Sequence, residues 1–120
     1  MTGAHAIEQL LSLEDDDLLA LLGAELLGKP RGAEDEELER QRGVARRWLE
    51  SSWSKSRDAF CSDPRIIALM RREGPETVQD VTILIDVLAA LVQLPTVATL
   101  AVILTKRGLR TLCGHGLRAP

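Results

Sequence analysis

Chemistry in this chain would begin at "LCGHG", where Cys113 and His115 stand two residues apart. An imidazole beside a thiol can act as its base and make it a nucleophile, and the same two groups can take two corners of a zinc tetrahedron. With Cys61 and His5 the chain holds four zinc-type ligands. Neither arrangement is specific. A zinc site is built from two closely spaced pairs and here there is one, while a cysteine nucleophile needs a third group to orient its base, which the flanking glycines do not supply. The two residues read as a core or near-surface cysteine and a solvated histidine. Asp15, Asp16 and Asp17 bring three carboxylates together, but the alternating oxygen ligands, the turn glycine and the distal glutamate of a calcium loop are missing. The sequence contains no glycine-rich phosphate loop, nucleophile elbow or paired histidines. The expectation is a non-enzymatic chain with no catalytic residues, metal or cofactor.

Two stretches could meet nucleic acid. "RGVARRWLESSWSKSR" (42–57) combines five basic residues with Trp48 and Trp53. Glu50 interrupts it, and the tryptophans serve more simply as core anchors of an amphipathic helix. "LPTVATLAVILTKRGLRTL" (94–112) has the cadence of a recognition helix. A helix that reads a major groove must display polar side chains along its outer face, and before Lys106 only Thr96 and Thr99 qualify. The net charge of −3 argues the same way, against nucleic acid.

The elements that would position any of these residues are helices. The chain has 120 residues with 45% apolar and 28% charged, a single Phe and no Tyr, so packing falls to aliphatic side chains in one domain. Residues 1–30 form an acidic N-terminal segment: a short helix near Ala6–Leu11, then one that follows Ser12, carries acids in its first turn, repeats leucine at 18, 19, 22 and 26, and stops at Gly28 before Pro30. Residues 33–62 form a long amphipathic helix with Leu38, Ala45, Leu49, Trp53 and Phe60 near one face. Gly43 weakens its interior or admits a close neighbour. Residues 63–73 form a short helix with Asp63 as N-cap, Pro64 at the first position and Gly74 beyond its end. A start follows at Gly74-Pro75-Glu76, and Pro95 splits the apolar run 81–104, so residues 75–113 form an apolar helical hairpin, with 114–120 a flexible tail. The expected fold is all-α: a compact bundle of five or six helices, the C-terminal hairpin broken at Pro95.

That apolar run does not read as a membrane span. Its Leu, Ile and Val favour insertion by roughly 4 to 7 kcal/mol, against which Asp86 costs about 3 at mid-helix. Gln93 and the carbonyl freed by Pro95 remove more, each half is too short, and no aromatic belt flanks it. At 100° per residue Gln79, Thr82, Asp86 and Gln93 make a stripe roughly 80° wide opposite Leu84, Leu88 and Leu91. Beyond Pro95, Thr96, Thr99, Lys106, Arg107 and Arg110 group together, but Ile103 falls in their midst. Gly108 either caps this helix at Arg107 or lies inside one that runs to Gly114.

An N-terminus with Glu8 and three aspartates, lacking a basic start and an apolar core segment, is not a secretory signal. The expected location is therefore cytoplasmic, where Cys61 and Cys113 would both be reduced thiols. Residues 1–40 carry eleven acidic and three basic groups, and residues 81–120 four basic and one acidic. Such ends attract each other, most simply within one molecule. The functional expectation is a helical protein–protein interaction or adaptor module that self-associates or docks on a protein partner through its hairpin. Ile83, Val87, Ile103, Lys106, Arg107 and Arg110 are the candidate contact residues. The alternative is a peripheral membrane protein whose three cations meet anionic headgroups. A DNA-binding domain or a Cys/His-dependent enzyme ranks below both.

Overall fold

The structure, a computed structural model, describes residues 3–72, 78–94 and 97–114. In chain order the helices are α1 (Ala4–Leu11), α2 (Asp15–Leu27), α3 (Asp35–Trp48), α4 (Ser54–Ser62), α5 (Pro64–Arg71), α6 (Val78–Leu91), α7 (Ala98–Arg107) and α8 (Leu109–Gly114). A π turn, Leu49–Trp53, joins α3 to α4 without a break. Taken as one rod, these make seven helices and no strand among the described residues. The radius of gyration is 14.1 Å, close to the roughly 13.6 Å of a compact chain of this length.

Local chemistry explains most boundaries. Asp63 accepts a hydrogen bond from the Arg65 N–H at 2.8 Å, with Pro64 in the first turn of α5, as its sequence indicates. Gly28 ends α2 at φ 67°, and the Lys29 N–H closes back on the Ala24 carbonyl. Ser12 does not cap α2. Its hydroxyl donates to the Gln9 carbonyl at the end of α1, and α2 begins after Glu14, with Asp15, Asp16 and Asp17 in its first turn. The π turn also has a sequence origin. Ala45, Leu49 and Trp53 are spaced by four, which on a regular helix would rotate Trp53 away from Ala45 by roughly 80°. One wider turn absorbs that drift, leaving Ala45, Trp53 and Phe60 all buried, with Trp53 edge-on to Phe60 at 5.3 Å.

The core forms around α7. Every residue from Val97 to Thr105 is buried, and α1, α2, α6 and α8 all pack against this helix. The expected count of five or six helices becomes seven because Gly108, at φ 93°, ends α7 at Arg107, and a separate helix, α8, starts at the next residue instead of α7 running through to Gly114. Pro95 lies outside the described residues. Helix α6 ends at Leu91 before it and α7 starts at Ala98 after it, so the two are separate helices. They do not stand apart as a hairpin, since α7 rests on α2 as fully as on α6. Gly74 and the expected tail also fall outside the described residues, apart from Gly114 in α8.

The close helix approach foreseen at Gly43 occurs elsewhere. A Cβ on Gly23 would lie 1.8 Å from the backbone oxygen of Gln41, so α2 and α3 touch backbone to backbone at that point. The Gln41 side chain is fully buried and grips the α2–α3 connection, accepting from the Gly32 N–H at 2.9 Å and donating to the Pro30 carbonyl at 3.1 Å. At Gly43 the nearest atom to an added Cβ is Arg47 Nη1 at 3.5 Å. Gly23→Ala should therefore force two helices apart and destabilise the fold by about 3 kcal/mol or more. Gly43→Ala should stabilise it by about 0.5 to 1 kcal/mol through helix propensity. Urea unfolding midpoints of the two variants check the opposite signs.

Candidate functional site

The six candidate contact residues are distributed very unevenly. Ile103 is 0% exposed and Val87 1%, both in the core, while Ile83 is half-buried at the edge of α6. The three cations are exposed but engaged within the molecule. Lys106 Nζ donates to the carbonyls of Leu11 and Leu13, where α1 ends. Arg110 donates to the carbonyls of Met70 and Arg72 at 2.7 and 3.1 Å, where α5 ends. Both satisfy carbonyls that a helix terminus leaves open. Arg107 faces Asp15 at 3.4 Å.

Asp15 is one member of a three-way arrangement. Asp16 meets Arg46 of α3 at 4.0 Å and Asp17 meets Arg31 at 2.7 Å, so successive acids of the α2 start reach three different parts of the chain. The acidic front and basic rear meet inside one molecule at one of these pairs, Asp15 with Arg107. These pairs are exposed and individually weak. Between them lies a surface cleft of about 300 Å³ bordered by Asp15, Asp16, Arg46, Glu50 and Arg107, where opposite charges already face one another.

A different cavity, of about 420 Å³, opens between α1, α2 and α7. Ala6, Leu10, Leu13 and Leu21 give it an aliphatic wall, with Gln9 as a polar neighbour. Its polar anchor is Glu25, whose Oε2 accepts the Thr99 hydroxyl at 2.6 Å. Glu25 Oε1 is buried and has no hydrogen-bond partner among the described residues. Burial raises the Glu25 carboxyl above its ordinary value of 4.5, and the hydrogen bond from Thr99 offsets part of that rise. This contact explains the misplaced Ile103. Thr99 is 2% exposed and points toward α2, so the side of α7 that looked polar in sequence is an interior side, and Ile103 on it is core. Thr105 satisfies its hydroxyl locally, on the Ala101 carbonyl. Sequence reasoning missed Glu25. The available signal was one acid in the leucine-rich run of α2, facing a threonine in an otherwise aliphatic helix.

The cysteines are not thiols. Cys61 in α4 and Cys113 in α8 form a disulfide across 52 positions, correcting the expectation of two reduced side chains. That expectation rested on compartment, whereas the fold brings α8 against α4 and α5, placing both cysteines in the same part of the core. The bond also removes both sulfurs from the zinc and nucleophile arrangements considered at "LCGHG". His115 lies outside the described residues. Among the described residues no group of three or more His, Cys, Asp or Glu side chains could hold a metal ion, and no helix is long and apolar enough to cross a membrane.

Compared with protein-family models, curated proteins and solved structures, the chain matches none. Its site must be read from its own geometry.

Two outcomes follow from that geometry. Since folding raises the Glu25 pKa, the protonated form is the better folded one: its contribution is fully present below pH 4.5 and lost as pH rises through the folded-state value. Glu25→Gln should therefore melt a few degrees above the parent at pH 7, with the gap closing below pH 4.5, as thermal melts at both pH values will show. Joint replacement of Cys61 and Cys113 by Ser should cost about 4 kcal/mol, the loop-closure value for a span of 52 positions. Urea unfolding with and without reductant checks it, because reduction of the parent should reproduce most of the loss.

Proposed function

We propose that this chain is a non-enzymatic interaction module that associates through the outer side of α6. What supports the reading is one ridge. At 100° per residue, Val78, Ile85, Ala89 and, just past the helix end, Val92 fall within roughly 60° of one another; Ala89 is exposed, and the other three are half-buried, packed at the edge of the core with part of each side chain left open. The ridge borders a polar stripe of Gln79, Thr82, Asp86 and Gln93, all exposed, with Ile83 on the far side of the stripe. An aliphatic edge beside a few polar groups is the composition of a small protein-binding surface. The leading occupant is a second copy, with docking on a different protein next.

Of the six candidate contact residues only Ile83 borders this surface; Val87 and Ile103 are in the core, and Lys106, Arg107 and Arg110 are engaged within the molecule. A peripheral membrane role through Lys106, Arg107 and Arg110 has less support, because all three would first have to leave the carbonyls and the carboxylate that hold them. Among the described residues, DNA reading and Cys/His catalysis have no geometry in their favour. In a cytoplasm, the location proposed from an N-terminus that does not read as a secretory signal, glutathione reduces disulfides that it can reach. Here Cys61 is 3% exposed and Cys113 0%, which would shield this one.

Light scattering on a sizing column at high micromolar concentration should give a mass above the 13.2 kDa of one chain. Ile85→Glu with Ala89→Glu should return it to a monomer without changing its helical circular dichroism. A parent that runs as a monomer would remove self-association, and heterologous docking would then require a partner whose binding the same double variant abolishes.

A further inference from the structure

We draw no further inference here: the strongest candidate, the buried Cys61–Cys113 disulfide that ties the short helix α8 to α4 beyond the turn at Gly108, would be a redox latch only if α8 left the core on reduction, and with both cysteines buried, Leu109 and Leu112 packed on the core and Arg110 bonded to the end of α5, nothing in the structure shows that it does.

Discussion

Helix α7 has no side that meets water over eight consecutive residues, Ala98 to Thr105. Such a helix is stable only where other helices cover its whole circumference, and each side chain of the size of Leu100, Ile103 or Leu104 then contributes about 1.5 to 3 kcal/mol of transfer energy. That requirement explains why α1, α2, α6 and α8 sit where they do: together they are the cover. It also fixes how the helix must end. Lys106 and Arg107, the first charged residues after the buried run, emerge where α1 finishes and α2 starts, and each finds an opposite dipole or charge there.

The cover is held by a few contacts that are not apolar. Between α2 and α3 it is the backbone contact at Gly23, with Gln41 tying down the connection behind it. Between α4 and α8 it is the disulfide, which encloses α5, α6 and α7 in one covalent loop. Between α2 and α7 it is the hydrogen bond from Thr99 to Glu25, a polar contact set into an aliphatic interface and incompletely satisfied. Of the three, the last gives up stability, and such a concession is characteristic of binding sites.

Sequence carried the local part of this architecture. Asp63-Pro64 and Gly28 mark helix ends by side-chain and backbone chemistry that acts within a few residues, and both occur as read. The stripe Gln79, Thr82, Asp86, Gln93 is exposed, and Leu84 and Leu88 opposite it are buried, because a single helical period decides it. What sequence did not carry is pairing between distant positions. Nothing near Cys61 indicates Cys113, nothing near Glu25 indicates Thr99, and nothing in the pattern around Gly23 shows that a second backbone passes there. Ile103 is the instructive case. Periodicity assigned it to a polar face, correctly by angle, yet that face turns inward because Thr99 has a half-buried partner 74 positions away.

Whether α7 is the centre of the fold can be measured by native-state hydrogen exchange. If the account is right, the amides of residues 101–105 exchange only through global unfolding and show the largest protection in the chain, above those of α1 and the first turn of α3. Exchange of those amides as fast as that of α1 would show α7 opening locally to water, and an interior built around it would be contradicted.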